Sequence, residues 1–253
     1  MPHFSPVTKP EIIICQDVAA LSRRAAEQFV ALAHQAIAAR GRFAVALSGG
    51  STPKALYSLL ATAEFTSQLD WRSIHLFFGD ERCVPPDHGE SNYRMVTESL
   101  LEKISIPPQN VYRMAGEIEP AAAAADYGAQ LARFFSPQEN HPARFDLVYL
   151  GLGEDGHTAS LFPQSSALNE RVQWVASTYV EKLAAHRLTL TLPVINHAAQ
   201  VSFLIAGRSK AAMVKAILAN STSDYPAAQV SPSDGRLCWF ITADAAGGVG
   251  GLP

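Results

Sequence analysis

The chain of 253 residues is long enough for one large α/β domain or for two small ones. Hydrophobic residues make up 48% and charged residues 17%, so the chain can build a sizeable core and is not intrinsically disordered. With 20 Lys plus Arg against 23 Asp plus Glu, the formal net charge is −3, and no block of like charges runs for five residues. This argues against a nucleic-acid partner bound by phosphate neutralisation, and it leaves room for a small anionic ligand.

The chain has three cysteines, Cys15, Cys83 and Cys238. An odd number of widely spaced cysteines argues against a disulfide framework and against a structural zinc site. Residues 1–14 lack a basic region followed by an apolar stretch, which predicts no signal peptide. No apolar run approaches about 18 residues, which predicts no membrane span. We therefore expect a cytoplasmic protein with no membrane partner.

Short apolar segments alternate along the chain with longer segments of helical periodicity. Strands are predicted at 12–14, 43–47, 74–78, 145–150, 174–178, 187–192, 200–206 and 237–242. Helices are predicted at 18–39 with Gly41 as its C-cap, from the turn at Pro53 to Leu60, from Ser91 to a point before Pro107, at 120–135 and at 208–219. This alternation predicts an α/β fold, with a mostly parallel, Rossmann-like open sheet covered by helices on both faces. We expect a single domain over residues 1–253, with a frayed glycine-rich tail at 247–253.

Three polar segments directly follow predicted apolar strands, at 48–53, 79–82 and 151–157. In open α/β sheets, ligands bind beyond the carboxyl ends of the strands. We therefore expect the polar residues of these three segments to converge on one site.

The first segment lies between a strand and the N-terminus of a helix. It offers hydroxyl groups and backbone N–H groups from Ser48, Gly49, Gly50, Ser51 and Thr52. Free N–H groups and the helix dipole both favour an anion at such a position, so phosphate binding is one interpretation. A plain turn with a Ser or Thr cap is the other, since the segment does not match the Walker A pattern.

The same segment permits a different chemistry. Residues 46–50 resemble a nucleophile elbow in which alanine replaces the first glycine. Ser48 would then be an acyl-transfer nucleophile, assisted by His157 and by Asp155 or Asp80.

The second segment places Asp80, Glu81 and Arg82 at the end of an apolar strand. A carboxylate there can accept a hydrogen bond from a sugar hydroxyl or act in proton transfer. The guanidinium of Arg82 matches a phosphate, a carboxylate or a developing oxyanion. A solvated surface cluster is the alternative. Nearby histidines and acids at 75, 87, 88 and 90 raise the idea of a metal site, but their spacing fits no ligand motif, so we predict no metal.

The third segment matches G-x-G-x-x-G at 151–156. It comes past the middle of the chain and carries Asp155 among its glycines, so it lacks the context of a dinucleotide fingerprint. We interpret it as a tight turn that presents Asp155 and His157. A histidine held beside a carboxylate is a candidate general base. A capping or core histidine is the alternative.

Cations also occur at the start of the predicted helix 208–219. Arg208 and Lys210 are unusual there because the helix dipole disfavours positive charge at an N-terminus. Either a bound anion balances them or they are solvated surface residues. Arg187, in the predicted strand 187–192, completes our set of candidate substrate-binding residues.

Together these segments resemble the glucosamine-6-phosphate isomerase/6-phosphogluconolactonase family, in the family's order and over nearly the whole chain. The resemblance rests on residues 46–53, 79–82, 91–93, 150–163, 190–196 and 207–211. The run D-G-H-T-A-S-L-F-P at 155–163 is its most specific part. The deaminases of the family typically read D-E-Y where this chain has Arg82, and H-I-A-F-N-E-P at 157–163, so both differences favour the lactonases. The segment 239–244 departs from the family by displacing an acidic residue.

The resemblance implies hydrolysis of 6-phospho-D-glucono-1,5-lactone to 6-phosphogluconate in the oxidative pentose phosphate pathway, with no metal and no organic cofactor. We expect the substrate phosphate at Gly49, Gly50 and Ser51, with Arg208 and Lys210 as counter-charges. His157 would activate water, with Asp155 or Asp80 orienting the imidazole or a substrate hydroxyl. Arg82 or a loop N–H would stabilise the oxyanion. We expect a monomer or a weak homodimer.

Two further hypotheses keep the same fold or ligand class. The first is a deaminase or aldose–ketose isomerase of sugar phosphates, with Asp80 as the base. The second is a sugar-phosphate sensor without catalytic activity, although the sequence contains no DNA-binding segment that would give such a sensor an output.

Overall fold

The computed structural model describes residues 9–135, 143–219 and 225–247, so residues 248–253 of the predicted tail lie outside the described part. The strands are β1 (Glu11–Cys15), β2 (Phe43–Leu47), β3 (Ile74–Phe78), β4 (Asp80–Arg82), β5 (Val111–Tyr112), β6 (Leu147–Leu150), β7 (Val175–Val180), β8 (Ala185–Leu190), β9 (Gln200–Ile205) and β10 (Arg236–Thr242). The α-helices are α1 (Val18–Arg40), α2 (Ser51–Leu60), α3 (Ala63–Thr66), α4 (Asn92–Ser99), α5 (Pro120–Phe135), α6 (Leu192–Ile195), α7 (Ala211–Ala219) and α8 (Ala243–Ala246). Short 3₁₀ turns include Glu181–Leu183 and Arg208–Lys210.

The main sheet has seven strands in the order β1-β10-β9-β6-β2-β3-β5, and every pairing in it is parallel. Each residue of β2, β6 and β9 is buried, so both faces of the central sheet are covered. Apolar residues at nearly every position of these strands explain this arrangement, because a parallel strand is buried on both faces, and the exceptions in β9 are the buried Gln200 and Ser202. The predicted α/β fold with a mostly parallel sheet is confirmed.

A second sheet of three antiparallel strands, in the order β4-β8-β7, was not predicted. The expectation that 79–82 forms a loop is therefore wrong for Asp80–Arg82, which pair with β8. The strands predicted at 174–178 and 187–192 exist, but they belong to this second sheet. Acidic residues are depleted in strands, so the sequence of β4 gave no strand signal. Its pairing depends on β8, whose Leu190 N–H donates to the carbonyl of Gly79 at 2.8 Å.

Helix boundaries follow local capping chemistry. Asp17 accepts a hydrogen bond from the N–H of Ala20 at the start of α1, and Gly41 ends the helix with a left-handed φ of 72°. Ser91 caps α4, as predicted, and that helix ends at Ser99. The predicted helix 208–219 begins as a 3₁₀ turn and becomes α-helical from Ala211.

Candidate active site

The three polar segments meet at one edge of the main sheet, as predicted. Strand β2 pairs in parallel with β3 on one side and with β6 on the other, so the segments that follow them leave the sheet in the same direction. A methyl group added to Gly49 would lie 2.0 Å from Oδ1 of Asn92, directly after the cap of α4. One added to Gly151 would lie 3.8 Å from Oγ of Ser48. The segment 48–53, which we call the glycine segment, is therefore packed between the segments 79–82 and 151–157.

The glycine segment ends in the first turn of α2. The backbone N–H of Ser48 donates to the hydroxyl of Tyr57 at 2.9 Å, and that hydroxyl donates to the Ser48 carbonyl at 2.9 Å. Tyr57 is fully buried in α2, so it fixes the start of the segment. Gly50 precedes the helix and has no side chain to cap it, so the first N–H groups of α2 are left for another acceptor. This is the geometry in which helix termini bind anions.

The nucleophile-elbow hypothesis finds no support in the backbone or in the contacts of Ser48. Its Oγ donates to the carbonyl of Gly49 at 3.3 Å. Among the non-glycine residues that the structure describes, positive φ occurs at Ala159, Gln164 and Ala184, so Ser48 does not adopt the strained turn of an elbow.

A cavity of about 470 Å³ lies beside the glycine segment and is lined in part by Ser51, Thr52 and Gly207. It is also lined by Asp17 and Asp244, whose carboxylates would repel a phosphate. These two carboxylates argue against a phosphate in this cavity.

The two cations predicted near the helix start differ in their surroundings. Nζ of Lys210 lies 3.8 Å from Oε1 of Glu154, which places Lys210 against the segment 151–157. Arg208 is exposed to solvent.

Asp80 is a buried carboxylate with fixed neighbours. Its Oδ2 accepts a hydrogen bond from Oγ of Ser160 at 2.8 Å, and its Oδ1 lies 3.4 Å from Nδ2 of Asn92. Each carboxylate oxygen has a second lone pair, so Asp80 can still accept a hydrogen bond from a substrate hydroxyl. These contacts join the strand end at 80 to the segment 155–163 without involving the imidazole.

Two residues that sequence reasoning did not select, Glu81 and Asn92, connect β4 to the start of α4 by hydrogen bonds. The carboxylate of Glu81 accepts hydrogen bonds from the N–H groups of Arg82, Asn92 and Tyr93 and from Oγ of Ser91, at 2.7–3.1 Å. Burial raises the pKa of the Glu81 carboxyl, and these backbone N–H groups lower it in opposition. Nδ2 of Asn92 donates to the carbonyl of Asp80 at 2.9 Å. The start of α4 is thus tied to β4, which explains why a D-E-R sequence is not a solvated surface cluster.

Arg82 and Arg187 are direct partners across the antiparallel pair β4–β8. Arg187 is only 9% exposed, and burial followed by the positive charge of Arg82 lowers its pKa. In the described residues their hydrogen-bond acceptors are backbone carbonyls: Glu90 for Arg82, and His186 for Arg187 at 3.2 Å. Two like charges at one register position disfavour each other, and an anion between them would relieve the repulsion.

His157 is held by its own segment. Its Nδ1 lies 2.5 Å from Oδ1 of Asp155, and its ring stacks on Phe162 at a centroid distance of 4.2 Å. The second oxygen of Asp155 accepts a hydrogen bond from Lys182. Burial raises the pKa of the Asp155 carboxyl, but the hydrogen bonds from Lys182 and His157 outweigh it and hold that pKa well below its ordinary value. Of the two aspartates that the sequence left open, Asp155 is the one that contacts the imidazole.

Gly153 makes this pair possible. A methyl group at position 153 would lie 1.9 Å from Nδ1 of His157 and 2.7 Å from Oδ1 of Asp155. Gly153, the middle glycine of the G-x-G-x-x-G match, therefore leaves space for the Asp155–His157 pair, as the sequence interpretation of a tight presenting turn requires.

Neither a metal centre nor a membrane span is found in the described ranges. Within residues 9–135, 143–219 and 225–247, no group of three or more His, Cys, Asp or Glu side chains could hold a metal ion. No helix in the same ranges is both long and apolar enough to cross a bilayer.

The chain thus has an open α/β fold whose three polar segments meet at one edge of the main sheet. The profile of the family described as glucosamine-6-phosphate isomerases/6-phosphogluconolactonase matches residues 16–239. The chain belongs to this family.

Individual relatives agree with the family match. A Nostoc sp. protein named 6-phosphogluconolactonase is 38% identical over 240 residues, covering 94% of this chain and 97% of the relative. A Synechocystis sp. protein of the same name is 42% identical over 214 residues, covering 83% and 86%. The structure of 6-phosphogluconolactonase from Trypanosoma cruzi has a TM-score of 0.87 at 31% identity, covering 98% of this chain and all of that one. A monomeric glucosamine-6-phosphate deaminase, at 22% identity and a TM-score of 0.77 over 93% and 98% of the chains, shares the fold.

Proposed function

We propose that this protein is a 6-phosphogluconolactonase, which hydrolyses 6-phospho-D-glucono-1,5-lactone to 6-phospho-D-gluconate with His157 as the general base. The relatives at 38% and 42% identity bear this name over most of both chains. The observation that carries the mechanism is the contact of 2.5 Å between Asp155 and His157 at an edge that also holds Asp80 and two arginines. A carboxylate on Nδ1 fixes the tautomer and directs Nε2 toward a water molecule.

The reaction begins when Nε2 of His157 takes a proton from water and the water oxygen bonds to the lactone carbonyl carbon. The carbonyl oxygen becomes an oxyanion, which Arg82 or a loop N–H stabilises. The bond between that carbon and the ring oxygen then breaks. His157 returns the proton to the ring oxygen, which becomes the sugar hydroxyl. A positioned base of this kind contributes about 10²–10⁴-fold to the rate.

Binding of the substrate uses the groups around the base. The phosphate lies against the N–H groups of Gly49, Gly50 and Ser51, which the uncapped start of α2 leaves available. Ser48 and Thr52 flank this anion site, and the surrounding positive charge comes from Arg187, Arg208 and Lys210. Asp80 accepts a hydrogen bond from a sugar hydroxyl, and Ser160 and Asn92 hold it in place for this role.

The proposed substrate and product belong to the oxidative pentose phosphate pathway. A cytoplasmic location agrees with three cysteines that are free in the structure, since reducing compartments keep thiols unpaired. The small-molecule lactone is the expected partner of the monomer or weak homodimer.

The test is hydrolysis of freshly generated 6-phosphogluconolactone, with the spontaneous rate subtracted, by the wild type, His157→Ala and the control His34→Ala. His34 is exposed on α1 and contacts the carbonyl of Gln68, away from the edge. We expect kcat to fall in His157→Ala by about 10²–10⁴-fold while KM changes little, and the control to resemble the wild type. A wild type that does not exceed the spontaneous rate refutes the proposal, and activity on glucosamine 6-phosphate instead would identify a deaminase.

A further inference from the structure

Lys182 belongs to a turn of the second sheet, and its side chain reaches the segment 151–157, which we call the histidine segment and which follows β6 of the main sheet. It lies in the 3₁₀ turn Glu181–Leu183, between β7 and β8. Its Nζ hydrogen-bonds to Oδ2 of Asp155 and lies 4.8 Å from the centroid of the Phe162 ring. About half of its side chain is exposed, so the ammonium sits at the rim of the site. Neither its sequence position nor any motif singled it out.

Each oxygen of the Asp155 carboxylate thus contacts a different group that can carry a positive charge. Oδ1 faces Nδ1 of His157, and Oδ2 faces Nζ of Lys182. Phe162 contacts both of these groups, because it stacks on the imidazole and lies beneath the ammonium. Lys182, Asp155, Phe162 and His157 therefore form one connected unit, in which Lys182 touches the base only through its neighbours.

We propose that Lys182 is a positioning residue for His157: by binding Asp155 it fixes the carboxylate that orients the imidazole and offsets part of the negative charge of that carboxylate. This inference rests on the proposed role of His157 as the base. A carboxylate with no other partner would stabilise the imidazolium, and an imidazolium cannot accept a proton from water. The ammonium opposes that stabilisation while leaving the orienting contact on Nδ1 in place.

Several other charged or titratable groups lie around this unit, and the contacts described for them are with residues other than Asp155. They are Glu154 and Lys210, which lie 3.8 Å apart, Asp80 on Ser160 and Asn92, Glu181 beside Lys182, and Tyr225 next to Gly156. Lys182 is the cation that the described structure places on the carboxylate of Asp155. Without the Lys182 ammonium, the negative charge of Asp155 beside the imidazole is no longer partly offset.

The experiment compares Lys182→Met, Lys182→Arg and the control Lys103→Met, an exposed lysine in the turn Leu101–Lys103. Two quantities are measured: the pH profile of kcat/KM for lactone hydrolysis, and the titration of the His157 ring in the substrate-free protein by NMR, assigned with His157→Ala. In Lys182→Met we expect both the acid limb of the profile and the ring titration to move to higher pH by about 0.5–1 unit. Lys182→Arg keeps the positive charge and should restore the wild-type profile, and Lys103→Met should match the wild type.

The outcomes separate this inference from the proposed function. If Lys182→Met lowers the rate equally at every pH, or raises only KM, and the ring titration does not move, Lys182 is a structural clamp or a substrate contact and the inference is overturned. If the ring titration moves but His157→Ala keeps full activity, the coupling exists and the proposed base is wrong. The ring titration needs no turnover, so it measures the effect of Lys182 on the His157 ring even in a protein that shows no activity.

Discussion

Arg82 and Arg187 face each other across the β4–β8 ladder, and both direct their hydrogen bonds to backbone carbonyls. Burial of Arg187 beside a second guanidinium costs stability unless an anion occupies the space between them. We infer that a bound anion relieves the part of this repulsion that Asp80 and Glu90 do not offset.

We predict that Arg187→Met raises KM for the lactone by about ten- to hundredfold, since a charge-assisted contact to an anion contributes about 1.5–3 kcal/mol. The melting temperature of the ligand-free protein should stay the same or rise, because the repulsion with Arg82 is removed. Steady-state kinetics and differential scanning calorimetry check the two parts. An unchanged KM would remove Arg187 from the substrate site.

A linked prediction concerns ligand-induced stabilisation. Phosphate or 6-phosphogluconate should raise the melting temperature of the wild type, because a ligand that binds only the folded state stabilises it. The rise should be smaller in Arg187→Met at the same ligand concentration. Equal rises in the two proteins would contradict anion binding by this residue.

Gly153→Ala should damage catalysis without unfolding the protein. The added methyl group would meet Nδ1 of His157 at 1.9 Å, so the imidazole must leave its contact with Asp155. A displaced catalytic group can lower kcat by about 10²-fold. Gly128→Ala in α5 is the matched control, because a methyl group there meets nothing within 4 Å and should stabilise the helix by up to about 1 kcal/mol. Full activity of Gly153→Ala would show that the pair is not required.

Glu81→Gln should destabilise the protein by about 1–3 kcal/mol, because the amide nitrogen of glutamine would face an N–H or hydroxyl donor where an oxygen now accepts. Chemical denaturation of the wild type and the variant measures this difference. Glu81 is buried, so water cannot replace the lost acceptor, and an equal midpoint of unfolding would refute its role at the start of α4.

The stability of the fold should depend on Asp155 in a defined pH range. The pKa of this carboxyl is lowered in the folded state, so its contribution is present above the unfolded pKa, about 3.9, and is lost as the pH falls below it. We expect the melting temperature of the wild type to exceed that of Asp155→Asn near neutral pH, and the difference to shrink toward pH 2. Thermal unfolding followed by circular dichroism at a series of pH values tests this, and a difference that grows on acidification has the wrong sign.

Local features of the sequence determined much of this structure. Strands β2 and β3 were predicted with the bounds that the structure gives them, because a short, almost entirely apolar run between turns is the pattern of a buried parallel strand. The turn that presents Asp155 and His157 was also predictable, but the sequence left open whether Asp155 or Asp80 contacts the imidazole, and the structure selects Asp155. The convergence of the three polar segments followed from their shared position after parallel strands.

Contacts between distant segments were decided only by the tertiary structure. Strand β4 exists because β8 pairs with it, and that pairing brings Arg187 opposite Arg82. Asn92 reaches Asp80 only because α4 begins beneath β4, and Lys182 reaches Asp155 only because the β7–β8 turn lies over the histidine segment. Hydrophobic periodicity reports which side of an element is buried, but not which element buries it. Local sequence thus determined most strands of the main sheet and the turn that carries Asp155 and His157, whereas packing between the two sheets determined which distant side chains contact that turn.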